Sequence, residues 1–268
     1  MKKYFKLLKT INRKNFRYIL KSMIKIHKYL GGSFYEQNNA LFLKINKYGL
    51  TFNIRSSYDI GSIFEIFYEK IYAFDSKNDH IVLDIGANIG DTALFFSGYD
   101  NVKRVYAFEP FKPTYNQAVE NCDLNKNISQ KIILNNFGVS DKNEKIDLPY
   151  DSRFTGVMSV ENNAYRAGSM RQIESIETKS IDYIFKEIIL QEDKKYKVVL
   201  KSDCEGSEYK IFDVMDKNNL FENVDVVMLE YHDKGAKPLL NILEKNNFIS
   251  FLSKEFGTTG MIYSIRQK

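Results

Sequence analysis

Residues 81–92 read Ile81-Val82-Leu83-Asp84-Ile85-Gly86-Ala87-Asn88-Ile89-Gly90-Asp91-Thr92. A short apolar run ends in an acid, passes two glycines, and opens a segment of helical character from Thr92 to Phe96. This is how a buried strand of an open α/β sheet feeds a ligand site, because ligands in such sheets lie beyond the carboxyl ends of the strands. Gly86 and Gly90 let the backbone turn sharply and come close to a ligand. The loop alone does not specify which ligand.

Two features narrow the class. Val105-Tyr106-Ala107-Phe108-Glu109-Pro110 is a second buried-strand run, and its acid follows Asp84 by 25 residues. A carboxylate at that strand tip is placed to accept hydrogen bonds from both hydroxyls of a ribose. The first loop lacks the Gly-x-Gly-x-x-Gly spacing of a pyrophosphate cradle, and there is no Walker Gly-Lys-Ser/Thr. The ligand expected is an adenosine without a diphosphate, which S-adenosylmethionine satisfies.

The stretches LDIGANIGDT (83–92), VYAFEPFKPTYNQAVEN (105–121), NNFGVSDKNEKIDL (135–148), LKSDCEGSEYKIF (200–212) and LEYH (229–232) stand in that order. Together with IRSSYDIGSIFEIFYEKIY (54–72) they resemble the FkbM family of S-adenosylmethionine-dependent methyltransferases, over roughly residues 50 to 235. The resemblance implies a class I methyltransferase fold: a Rossmann-like three-layer sandwich on a mostly parallel seven-stranded sheet with a C-terminal antiparallel hairpin. It places the adenine ring near Gly138 and Val139, and a cover containing Ser57, Asp59 and Tyr72 over the cofactor. The cofactor-binding set expected is Asp84, Gly86, Asn88, Gly90, Thr92, Glu109, Pro110, Gly138, Val139 and Asp59.

The 268 residues suit one full-sized domain with an appendage. The net charge of +5 is an average of unlike parts. Residues 1–35 hold ten Lys or Arg and no acid, leaving 29 basic against 34 acidic residues in the rest. In the basic segment Phe5, Leu8, Ile11, Phe16, Ile19, Met23, Ile26 and Leu30 recur at helical steps until Gly31-Gly32. The expectation is a basic amphipathic helix over 1–32 and a methyltransferase domain over 33–268, divided into a cover (33–75) and a core (76–268). The helix either packs on the body or on a second subunit, or lies on an anionic membrane surface. Nothing in the body supports nucleic acid as a partner.

The basic start leads into no uninterrupted apolar stretch with a cleavage site, and no run is long enough to cross a membrane. Cys122 and Cys204 form no framework, so the expected compartment is the cytoplasm. Leu41–Ile45 and Leu50–Ile54 read as a hairpin, Ile63–Tyr72 as a helix, and residues 141–178 as a long irregular excursion. Such an excursion is more often functional than idle, which makes it a candidate lid with Arg153, Arg166 and Arg171 facing an anionic acceptor.

Methyl transfer to a hydroxyl needs a base for its proton. The tips of the strands at 196–201 and 224–230 bring Asp203, Glu205, Glu230 and His232 toward the crevice of Gly86. His232 or Asp203 is the expected base, with Glu205 and Glu230 orienting the acceptor, while Glu208 reads as a helix cap. A divalent metal held by two carboxylates and the histidine is the alternative, and no residue is assigned to a metal. There is no Asn/Asp-Pro-Pro-Tyr/Phe, which disfavours base amines as acceptors. The function expected is O-methylation of a sugar hydroxyl in a surface polysaccharide, glycolipid or related glycan. The alternatives are a small secondary metabolite as acceptor and a silent cofactor-binding protein.

Overall fold

The computed structural model describes residues 13–151 and 172–267. Arg153, Arg166 and Arg171 lie outside these residues, as do Phe5, Leu8 and Ile11 of the N-terminal stripe.

Helix α1 (Arg13–Leu30) turns its stripe of Ile19, Ser22, Met23, Ile26 and Leu30 inward, at the three- and four-residue steps that put side chains on one face. Gly31, at φ +64°, ends it in the left-handed conformation that glycine adopts without strain. Three antiparallel strands follow: β1 (Gly32–Gln37), β2 (Ala40–Ile45) and β3 (Leu50–Ile54). The expected hairpin therefore has a third strand, whose few apolar residues hide the period-two signal. Buried residues of α1, β2 and β3 share one core cluster with the first face of the central sheet, so α1 packs on the body. Helix α2 (Ser57–Ile63) starts at a capping box of Ser56 and Asp59, six residues before the expected start, and runs into a π-helical turn (Phe64–Glu69).

The central sheet is built from β4 (His80–Ile85), β5 (Val102–Phe108), β6 (Ile132–Asn135), β10 (Lys197–Ser202), β11 (Val226–Tyr231), β12 (Phe248–Phe256) and β13 (Thr259–Arg266). Its order is β12-β13-β11-β10-β4-β5-β6, and β13 runs antiparallel to both neighbours. All six residues of β4 are buried, as expected of a parallel strand covered on both faces. On those faces lie α3 (Asp91–Ser97), α4 (Lys112–Leu124), the short α5 (Lys126–Ser129), α6 (Ile181–Glu187), α7 (Glu208–Lys217) and α8 (Lys237–Lys245). Strand order 3-2-1-4-5-7-6, counted from β4 as the first, is the class I methyltransferase sheet.

The cover is fastened to this core through an edge. Asn121 on α4 accepts from the Asn53 N–H and Asn125, just past its end, exchanges two hydrogen bonds with the Thr51 backbone, all at 2.7–2.9 Å, so the open side of β3 is satisfied. The excursion expected over 141–178 is strand at its two described ends, while residues 152–171 lie outside the described residues. Strand β7 (Gly138–Ser140) pairs with β9 (Gln172–Ser180), which pairs in turn with β8 (Glu144–Tyr150). Ile146, Leu148 and Tyr150 alternate with Lys145, Asp147 and Pro149, a two-residue period that the surrounding charges obscure. Among the described residues no helix is long and apolar enough to cross a membrane.

Candidate functional site

The parallel register sets the centre of the site. Lys201 on β10 lies opposite Asp84 on β4, so the two side chains leave the ladder on one face. Lys201 Nζ stands 3.0 Å from Asp84 Oδ1 and donates to the carbonyls of Gly86 (2.7 Å) and Ile85 (3.4 Å). Both side chains are at most 1% exposed. Burial works against the ammonium, yet Asp84, Asp203 and Asp91 hold Lys201 above its ordinary value. Burial pushes Asp84 up, and the lysine's charge pulls it back.

Around this pair lies a cavity of about 330 Å³ at the carboxyl ends of β4, β5, β10 and β11. Of the expected cofactor residues, Gly86, Asn88, Thr92, Glu109, Pro110, Gly138 and Val139 line it, together with Ser57 and Tyr72. Three do not. Asp84 sits behind the wall as partner of Lys201. Gly90, at φ +79°, caps α3 and faces Ala118. Asp59 spends its carboxylate on the backbone of Arg55 and Ser56, the Ser56 hydroxyl and Gln117 Nε2. Gly86 has a tighter reason to be glycine than ligand approach, since a Cβ there would stand 1.9 Å from the Asp203 carbonyl oxygen. Any side chain at Gly86 therefore displaces the Asp203 loop as well.

Glu109 bridges two loops, accepting from the backbone N–H of Asn88 (3.1 Å) and of Phe111 (2.9 Å). Burial raises it to about 8 despite those bonds. Asp91, which receives the Ser62 hydroxyl at 2.6 Å, is raised to about 7 by burial. Both lie where a ligand could supply donors. The Asn88 Oδ1 atom is buried without a hydrogen-bond partner among the described residues.

The opposite wall is acidic. Asp203, Glu205 and Glu230 line the cavity, and Tyr72 donates to Asp203 Oδ2 at 3.4 Å. Glu205 holds a left-handed backbone, φ +54°, a costly conformation for a non-glycine residue that clusters at functional sites. His232 is buried just behind this wall and does not line the cavity. The fully buried Glu208 accepts from its backbone N–H (2.7 Å) and its Nδ1 (3.0 Å). Glu208 thus ties the tips of β10 and β11 together, beyond the expected helix cap.

Burial opposes a charge on His232, but the Glu208 hydrogen bond and the field of Glu205 and Asp203 raise it to about 10. The imidazole holds its proton near neutrality, which argues against the expected role of base. Glu230, raised to about 8 by burial and by Asp203, accepts no hydrogen bond among the described residues. Burial and Glu208 hold the Cys204 thiol well above its usual value, so it is a packing residue rather than a nucleophile.

Lys201, Asp91, Ser62 and Glu65 line the cavity without having been expected there. For Lys201 the signal was a lysine inside an otherwise apolar strand. Glu65 lies in the π-helical turn, a feature frequent at functional sites, and Ser62 in the last turn of α2 just before it.

A family model described as Methyltransferase FkbM domain matches residues 84–252. The chain belongs to the FkbM methyltransferase family. Among solved structures, the FkbM methyltransferase from Methylobacillus flagellatus is similar at 17% identity and a TM-score of 0.47, over 75% of this chain and 47% of that one. The chain thus spans about half the length of that protein. The human methyltransferase 10 domain containing protein is similar at 12% identity and TM-score 0.45, over 96% and 98% of the two chains. M. jannaschii TYW2 in complex with AdoMet is similar at 15% identity and TM-score 0.40, over 87% and 84%. No curated protein matches the chain.

Proposed function

We propose that the chain O-methylates a sugar-type hydroxyl of a glycan, with donor and acceptor meeting in the 330 Å³ cavity. The observation that carries this reading is the facing of two walls across one cavity: Glu109, Asn88 and Gly138 on one side, Asp203, Glu205 and Glu230 on the other. On the first side, each carboxylate oxygen of Glu109 keeps a lone pair for a ribose hydroxyl, and Asn88 Oδ1 is a buried acceptor in need of a donor. Gly138 lets the β7 backbone approach Pro110, where a Cβ would stand 3.3 Å from the proline ring, and with Pro110 and Val139 it lines the part of the cavity this reading gives to the base. When bound, the cofactor supplies a methyl group on a sulfonium.

The second side suits a polyhydroxyl acceptor, because carboxylates accept the hydrogen bonds that sugar hydroxyls donate. Glu230 is the base in this reading, replacing His232 and Asp203. It faces the cavity with its acceptor positions open, whereas His232 is sequestered by Glu208 and Asp203 receives Tyr72. A sulfonium nearby favours the ionised carboxylate.

Helix α1 bears on where the acceptor resides. Asn15, Tyr18 and Ile19 form part of the cavity wall, while Phe16, Leu20 and Ile24 stand exposed one turn apart along its outer side. Arg17, Lys21, Lys25 and Lys28 accompany them without an acid. An apolar ridge among cations suits an anionic bilayer, which would set the cavity mouth beside lipid-linked acceptors at the inner membrane surface. The reading is tested by release of S-adenosylhomocysteine from glycan fragments presented free and on anionic vesicles. Release is expected with hydroxyl acceptors, faster on vesicles with which the full chain co-sediments. Turnover confined to amine acceptors would overturn the O-methylation reading.

A further inference from the structure

The acidic wall contains a set of donor atoms that the methyl-transfer reading does not by itself require. One oxygen each from Asp203 and Glu205 and one ring nitrogen of His232 lie within 4.8 Å of one another. Ligands of a six-coordinate cation with bonds of about 2.1–2.4 Å stand roughly 3.0–4.5 Å apart, so a small contraction brings these atoms into register. They come from two strand tips, those of β10 and β11, which Glu208 already locks together.

The histidine supplies a second, independent observation. Its side chain is 8% exposed, and its Nδ1 is committed to Glu208. Its Nε2 points into the cluster with no hydrogen bond among the described residues. The oxygens of Glu205 and Glu230 that face it each stand 3.8 Å away, beyond hydrogen-bond reach. A buried imidazole that gives one nitrogen to a fully buried carboxylate and aims the other at two more carboxylates is built like a metal ligand with its orienting partner.

We propose that Asp203, Glu205 and His232 form a divalent-cation site on the acceptor side of the cavity, held in shape by Glu208, the ion taking the place of the Nε2 proton that the imidazole otherwise carries. Two carboxylates and one imidazole suit a hard to borderline ion such as Mn²⁺ or Mg²⁺. Three protein ligands leave positions for water and for the acceptor hydroxyl, as catalytic metal sites do. The ion's role rests on the O-methylation reading; its binding does not. As a ligand of the ion, the hydroxyl loses its proton to Glu230. The new O–C bond forms as the donor's C–S bond breaks, and that electron pair stays with sulfur.

The test is a titration of Mn²⁺ into the full chain without cofactor or acceptor, read as loss of the free-ion electron paramagnetic resonance signal. One ion per chain is expected, with at least tenfold weaker binding in Glu205→Gln and in Glu208→Gln. Glu205 is partly exposed, so its variant should melt like the parent, and melting curves check both variants. An undiminished free signal with the parent chain, or equal binding in a folded Glu205→Gln, overturns the site. Binding lost in Glu205→Gln from a chain that methylates no acceptor would uphold the site and count against the O-methylation reading alone.

Discussion

Lys201→Met is expected to lower the free energy of unfolding by about 3–5 kcal/mol, the size of effect seen when one partner of a buried ion pair is removed. The cause is local. Asp84 is fully buried at the register position opposite Lys201, and among the described residues its carboxylate has no partner other than the lysine ammonium. Methionine fills the volume of the lysine stem but leaves that carboxylate without a counter-charge, and the carbonyls of Gly86 and Ile85 without their donor. The loop that carries Gly86 and Asn88 then loses its anchor, so cofactor affinity should fall with stability. Combining Lys201→Met with Asp84→Leu should recover much of the loss, because both charges are then gone. Urea unfolding of the parent, single and double variants checks this. A single variant within about 1 kcal/mol of the parent would show that the pair does not organise the site.

Glu230→Gln is expected to lower turnover about 10²–10⁴-fold, the usual contribution of a positioned base, while cofactor affinity changes less than about threefold. Glutamine keeps the shape and a hydrogen-bonding oxygen but cannot take a proton. Glu230 lies on the acidic wall, away from Glu109 and Gly138, so only acceptor chemistry should suffer. Stopped-time assays with saturating cofactor, beside calorimetry on the same variant, separate the two quantities. Turnover within twofold of the parent would remove Glu230 from the mechanism. His232→Gln should then be examined for a change in pH profile, since His232 acts on the wall from behind.

Much of this was legible in the sequence, and the remainder follows a pattern. Strands β4, β5, β10 and β11 announced themselves as apolar runs ending in acids, because parallel strands covered on both faces have no polar side to confuse the signal. The cavity-lining residues that follow those tips were legible for the same reason. What stayed hidden depends on contacts between distant segments. The Lys201–Asp84 pair exists only through the register of two strands more than a hundred residues apart. Glu208 reads as a helix cap until β11 brings His232 onto it, 24 residues later. Asp59 shows the opposite error. An acid three residues after Ser56 is a capping box, and the local signal was the true one. Strands β8 and β9 were missed because their neighbours carry charge on the exposed face.

The account stands on the cofactor occupying the cavity with its ribose against Glu109, and binding calorimetry with S-adenosylmethionine tests that most directly. The parent chain should bind, and Glu109→Gln should bind at least about tenfold more weakly while melting near the parent temperature, since ribose donors favour the ionised carboxylate and a hydrogen bond to a charged group is worth about 1.5–3 kcal/mol. Equal affinity in the two proteins would place the cofactor elsewhere and contradict the account.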